Sequence, residues 1–308
     1  MTSWTAGAGH PDIALSVRAH DRVGKRRTDQ AWLEETWADP STLVLLLAGG
    51  RFPVTADPTA IRWQGSLDAP EGTRVFLGSQ HGVAHFAVLV QEPPVDESWS
   101  GFRSVGPALS ADDAGLVVHA IALAEWHAAH RHCPRCGGRL QAGQAGHVLT
   151  CASCGKQQFP RADPAVIMLV TDGDPDDDRE RGRALLGRQP GWPQGRYSTL
   201  AGFVDPGESL EEAVIREVEE EVGVAVTDVT YFGNQPWPFP ASLMVGFFAR
   251  AVTTEISVDH EEISDARWFT REEMRVEAEA GTLILPGGIS ISRSLVETWF
   301  GEPLPGSW

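Results

Sequence analysis

The segment 202–224, GFVDPGESLEEAVIREVEEEVGV, constrains this chain more than any other. Gly202, Pro206 and Gly207 mark a loop, Ser209 is placed to cap a helix, and Gly223 to end it. Within that helix Glu217, Glu220 and Glu221 stand at i, i+3 and i+4, so their carboxylates share one face. At ~100° per residue, with Glu217 at 0°, Leu210 falls at about 20°, Glu221 at about 40° and Val214 at about 60°. Two carboxylates therefore run along the apolar stripe. An ordinary solvated acidic face, with Arg216 paired to Glu212 or Glu220, would put them opposite it. Partly buried like charges are costly unless a cation neutralises them, and Mg2+ or Mn2+ with oxygen ligands is the natural partner.

Four cysteines form two Cys-x-x-Cys turns, Cys133/Cys136 and Cys151/Cys154, separated by 14 residues. Each turn points two sulfurs at one side of a tetrahedron, and Gly137 and Gly155 ease the tight bends. So short a segment cannot bury enough apolar surface to fold alone, and metal binding supplies the difference. Four thiolates leave no open position, so a Zn2+ held there is structural. Redox dithiols and disulfides are the rival readings of the pattern.

Length and charge set the outer bounds. At 308 residues the chain has room for two domains with a small module between them. Lys+Arg 25 against Asp+Glu 42 gives a net charge of −17, which disfavours non-specific binding to nucleic acid or anionic membranes. The longest apolar run, Leu43–Ala48, is too short to span a bilayer, and the N-terminus MTSWTAGAGHPD shows no secretory signal. A cytoplasmic location is the resulting expectation. In the first block, 43–48, 74–77 and 84–90 read as strands and 112–130 as a helix capped by Ser110. Trp4, Trp32, Trp37, Trp63, Trp99 and Trp126 fall in this block and read as core fillers. Further on, 163–170 and 184–188 read as strands joined by DGDPDDDRERG, a solvated hairpin tip lacking the sixth-position Gly of an EF-hand loop.

Gly202, Glu208, Arg216-Glu217-Val218, Glu220-Glu221, Gly223 and Val224 match the Nudix box, G-x5-E-x7-R-E-U-x-E-E-x-G-U with U apolar, at every fixed position. Residues 234–244, NQPWPFPASLM, resemble the SQPWPFPxS motif of the NAD(H) pyrophosphatase branch of that family, departing at Asn234 where the motif has Ser. Their interleaved prolines make a stiff, extended segment that cannot be an interior strand. The zinc ribbon and the stretch Phe159-Pro160-Arg161-Ala162-Asp163-Pro164 also stand where that branch has them. Over 133–300 the resemblance holds in order and spacing; over 1–130 it is positional.

The resemblance implies an α+β protein: a Nudix α/β/α sandwich with a mixed sheet over 161–308, preceded by a zinc ribbon over 131–160 and an N-terminal α+β domain over 1–130. It implies catalytic metals on Glu217, Glu220 and Glu221, with Glu262 and the Ala201 carbonyl adding ligands and Arg216 orienting a glutamate. Phe159 and Phe203 become the stackers of a nicotinamide ring, and Gln235, Pro236, Trp237, Pro238, Phe239, Pro240, Ala241 and Ser242 the dinucleotide-contacting segment. Ser292, in the stretch before the last helix, becomes a late substrate contact. The implied reaction is metal-dependent hydrolysis of NADH or NAD+ to nicotinamide mononucleotide and AMP, by two or three Mg2+ or Mn2+ ions, with Glu220 or Glu262 as general base. Removal of NAD caps from RNA and a homodimeric state are implied as well. The alternatives are a Nudix hydrolase of another nucleoside diphosphate such as ADP-ribose, or an inactive nucleotide-sensing regulator.

Overall fold

Leu43–Leu47 is apolar at every position, the pattern of a strand covered on both faces, and it forms strand β1 of the computed structural model. Residues 13–56, 59–93, 98–173, 182–258 and 260–306 are described. The chain divides into two compact units, one of Val17–Ala162 with Trp237–Ala241, the other of Met1–Ser16, Asp163–Pro236 and Ser242–Trp308.

In the first unit β1 runs parallel to β6 (Val83–Leu89), within a sheet completed by β4 (Gln64–Gly65) and β5 (Thr73–Gln80) in the order β4-β1-β6-β5. A second sheet joins β2 (Arg51–Ala56), β3 (Thr59–Ile61) and β7 (Trp99–Gly101). Three helices accompany them: α1 (Gln30–Ala38), the single turn α2 (Phe102–Val105) and α3 (Ala111–Ala129). Ser110 caps α3 as expected, its side chain accepting from the Asp113 amide at 3.1 Å. Trp37, Trp99 and Trp126 are buried as core residues, whereas Trp32 and Trp63 are half-buried. The cysteine module is a small antiparallel sheet of β8 (Leu140–Gly143), β9 (Val148–Cys151) and β10 (Gln157–Gln158).

The second unit is built on β11 (Asp163–Thr171), whose interior positions are buried on both faces. It lies parallel to β15 (Ser242–Ala251) and antiparallel to β12 (Ala184–Arg188) and β13 (Leu200–Phe203). With β14 (Val226–Trp237) and β16 (Asp265–Phe269) the six strands run β14-β15-β11-β12-β16, β13 pairing with β11 off that path. The sheet is mixed, as expected. One face packs on helix α4 (Leu210–Val222) through Ala213, Val214, Val218 and Val222. The other packs on α5 (Arg271–Glu279) and α6 (Ile291–Phe300) through Met274, Leu295 and Val296. Helices on both faces make the α/β/α sandwich.

Pro236 sits in β14, an edge strand, where a residue without an N–H is tolerated. No helix among the described residues is long and apolar enough to cross a membrane. Trp4, the N-terminal stretch 1–12 and most of the acidic tip, 174–181, lie outside the described residues.

Candidate active site

Strand β13 and helix α4 build the site from consecutive sequence. Ser209 caps α4 by accepting from the Glu212 amide at 3.2 Å, while the Glu212 carboxylate returns to the Ser209 amide at 3.0 Å. Gly223 closes the helix in the left-handed conformation, φ 69°. Between these caps Glu217 and Glu221 are buried, at 7% and 4% exposure, while Glu220 faces solvent. The apolar-stripe reading of the two carboxylates is therefore what the helix shows.

Gly202 on β13 makes room for one of them. A Cβ at that position would overlap the Glu217 carboxyl group, so only glycine lets the carboxylate lie against the strand. Ala201 precedes it on the same strand, half-buried and opposite Ile167. Burial pushes the Glu217 carboxyl above its ordinary range, against the opposing pull of the Arg216 guanidinium.

Arg216 gathers the surrounding carboxylates. Its Nε donates to Glu208 Oε1 at 2.6 Å and its Nη2 to Glu208 Oε2 at 2.9 Å, a two-pronged ion pair. Its Nη1 donates at 2.9 Å to both Glu217 Oε1 and Glu220 Oε2, and its Nη2 also reaches the Phe203 carbonyl at 2.9 Å. The guanidinium holds the Glu208 carboxyl at about 2. Glu208 thus anchors Arg216, a role whose sequence signal is its fixed place in the box pattern.

The structure brings together Glu217, Glu221 and Glu262, whose carboxylate oxygens lie within 4.8 Å of one another. Glu220 is not part of that cluster and is turned to Arg216. Oxygen donors of like charge, two of them buried, fit a divalent cation such as Mg2+ or Mn2+ and no soft metal. The four cysteine sulfurs also lie within 4.8 Å of one another, with Cys133–Cys154 at 3.8 Å and Cys136–Cys151 at 3.5 Å. Tetrahedral coordination at ~2.3 Å places sulfurs about 3.8 Å apart, so the cluster fits zinc. Gly137 and Gly155 take the positive φ their turns demand, 73° and 69°.

The aromatic expectations fall on two exposed rings. Phe159 is 62% exposed and Phe203 57% exposed, surface that a stacked ligand would cover; the former lies in the first unit and the latter in the second. Along 234–242 the side chains divide. Gln235 is buried and saturated: its Nε2 donates to the carbonyls of Ala14 (2.7 Å) and Ile289 (2.8 Å), and its Oε1 accepts from the Ile291 amide at 3.1 Å. Asn234 Nδ2 donates to the Tyr231 hydroxyl at 2.7 Å. Pro236 and Trp237 are half-buried at the end of β14, Pro238 is buried, Phe239 half-buried, Pro240 exposed, and Ala241 and Ser242 half-buried. Ser292 lies within the first turn of α6 rather than before it, because Ser290 caps that helix. It too is buried, its Oγ accepting from the Thr199 amide and hydroxyl at 3.2 and 2.9 Å and bonded to Ser198.

Comparison with known proteins places these features in a lineage. Residues 162–284 match the NUDIX domain model, and residues 33–126 match the NADH pyrophosphatase-like rudimentary NUDIX domain. A Mycobacterium bovis protein named NAD-capped RNA hydrolase NudC is 38% identical over 306 residues, spanning 92% of this chain and 94% of that one. Its namesake from Pseudomonas aeruginosa is 38% identical over 234 residues, spanning 73% and 78%. Among solved structures, a NUDIX hydrolase from Nitrosomonas europaea is similar with TM-score 0.42 at 18% identity, covering 57% of this chain and 97% of that one.

Proposed function

The chain belongs to the NAD(H) pyrophosphatase branch of the Nudix family, and from that premise we propose that it hydrolyses the pyrophosphate of NADH or NAD+ to nicotinamide mononucleotide and AMP and removes NAD caps from RNA 5′ ends. The observation that carries this reading is the convergence of Glu217, Glu221 and Glu262 beside the cleared backbone of Gly202. Divalent ions held by these carboxylates, by Glu220 and by the Ala201 carbonyl would neutralise the diphosphate and make water a better nucleophile. The chain's own groups do the rest. Arg216 fixes the carboxylate of Glu217 and the orientation of Glu220 through one planar guanidinium. Glu220 or Glu262, the two exposed carboxylates, takes the proton from the attacking water. Phe159 and Phe203 each expose a ring able to stack on a nicotinamide, and the segment 235–242 contacts the dinucleotide. Within that segment Gln235, like Ser292, acts by fixing backbone, since its amide is spent on protein partners.

The wider reading has three parts: an N-terminal α+β domain over 1–130, a ribbon with one structural Zn2+ over 131–160, and the hydrolase domain over 161–308. It includes a cytoplasmic homodimer with two or three Mg2+ or Mn2+ ions per site. Chromatography of products released from NADH, with magnesium supplied, tests the central step. Nicotinamide mononucleotide and AMP in equal amounts support it, and intact NADH after prolonged incubation contradicts it.

A further inference from the structure

Gly49 and Gly50 turn the chain from β1 into β2 with φ of 52° and 71°, and Ala48 and Arg51 exchange backbone hydrogen bonds of 3.0 Å across the turn. Gly50 leaves space for a carboxylate from α3: a Cβ there would stand 3.3 Å from Glu125 Oε1. Next to this turn opens a pocket of about 420 Å³. Phe102, Pro238, Phe239 and Pro240 line it together with Arg51, Arg103 and Glu125. All of these residues belong to the unit that combines 17–162 with 237–241.

The pocket is ordered on its apolar side, and its two guanidiniums have neutral partners. The Phe239 ring stacks on Phe102 (centroids 5.9 Å, 21° between planes), meets Trp237 edge-on at 5.1 Å and lies 5.3 Å from the Arg103 guanidinium. Arg51 donates to the Trp99 carbonyl at 2.7 Å, a neutral partner. Among the described residues none of Arg51, Arg103 and Glu125 forms an ion pair. In a chain of net charge −17, two guanidiniums without carboxylate partners facing one pocket are attractive to anions. Guanidiniums suit phosphate, an aromatic wall suits a base, and a half-buried carboxylate accepts from ribose hydroxyls or a base N–H.

We propose that this pocket is a nucleotide subsite, taking a nucleoside 5′-phosphate unit with its base against the half-buried Phe239 ring, which the buried Phe102 supports from beneath, its phosphate at Arg51 and Arg103, and its N–H or hydroxyl donors on Glu125. The inference deepens the functional reading above and rests on it for the source of the nucleotide. That source is either the adenylate half of the dinucleotide or the RNA nucleotide that follows an NAD cap.

Calorimetric titration of the full chain with AMP in magnesium-free buffer is the first test, because the glutamate cluster without cations repels phosphate and leaves the pocket as the binding site. Arg103→Ala and Glu125→Gln should each weaken AMP binding roughly tenfold, and Arg103→Lys should recover part of the loss. Steady-state kinetics then separate the sources. A raised KM for both NADH and an NAD-capped oligonucleotide, with kcat held, supports an adenylate subsite; a raised KM for the capped oligonucleotide alone supports an RNA subsite. Wild-type AMP affinity in both alanine and glutamine variants overturns the proposal, as does a fall in kcat with KM and AMP affinity unmoved. Should AMP bind at Arg103 while NADH is never cleaved, the subsite stands and the functional reading falls.

Discussion

Arg216 sets the residue-scale geometry of the site, because a single guanidinium touches Glu208, Glu217, Glu220 and the Phe203 carbonyl. Lysine has one ammonium and no fork, so Arg216→Lys should lower kcat more than it raises KM, measured with NADH. The Glu208 carboxyl is depressed to about 2, so the stability it contributes is complete above its unfolded value near 4.5 and disappears as pH falls toward 2. Urea midpoints of wild type and Glu208→Gln should therefore differ most at pH 6 and converge as the pH drops toward 3. Glu217 has the opposite sign: its raised pKa marks a charge that destabilises the metal-free fold at neutral pH. Glu217→Gln should thus melt higher than wild type without divalent ions while losing roughly 10²-fold or more in kcat with them. Gly202→Ala should cost roughly 10²-fold in kcat by displacing the same carboxylate. The stripe of Glu217 and Glu221 was legible from helical periodicity because it is a local property of thirteen residues. The fates of Gln235 and Ser292 were not, since Gln235 finds partners 54 and 221 residues away and Ser292 at a separation of 93.

Helix α4 and the cysteine module are the elements whose ends decide function. The capping box at Ser209 fixes where α4 starts, hence where its glutamates point; Ser209→Ala should cost about 1 kcal/mol of stability by denaturant titration, with little change in KM. For the ribbon, a metal ion held by the four clustered sulfurs would stand in for a hydrophobic core. Chelation of zinc, or Cys151→Ser, should lower the melting temperature of the unit that contains it and remove one zinc per chain by atomic spectroscopy. Turn chemistry made these elements readable: Ser and Gly at the ends of α4, and Gly137 and Gly155 after each cysteine pair. Sheet order was not readable, because the parallel pairing of β11 with β15 brings together strands about eighty residues apart. The last helix began earlier than expected for a similar reason. Ser290 is a cap only by virtue of the backbone turn before it, and Ser292 consequently lies inside α6.

Across the whole molecule, net charge and buried histidines govern behaviour in solution. His20, His119 and His147 form a buried row in the first unit, with His20 Nε2 3.1 Å from His119 Nδ1 and the His119 and His147 rings 5.6 Å apart. Burial, with Arg22 and Arg27 nearby, lowers His20 and His147 to about 4. The unfolded chain takes up these protons first, so stability should fall as pH drops from about 6.5 toward 4, checked by thermal melting across that range. The two-unit division also shows what the sequence of the first block concealed. Its strands and capped helix were visible, but the pocket it forms with Phe239 joins residues more than one hundred positions apart. The central claim concerns the pyrophosphate bond. The measurement that tests it most directly is product release over time from NADH, NAD+, ADP-ribose and NAD-capped RNA by wild type and Glu220→Gln, with Mg2+ or Mn2+ supplied. The account predicts nicotinamide mononucleotide and AMP from the dinucleotides and decapped RNA from the capped substrate, each slowed roughly 10²–10⁴-fold in the variant. Cleavage of ADP-ribose alone, or equal rates in wild type and variant, would contradict it.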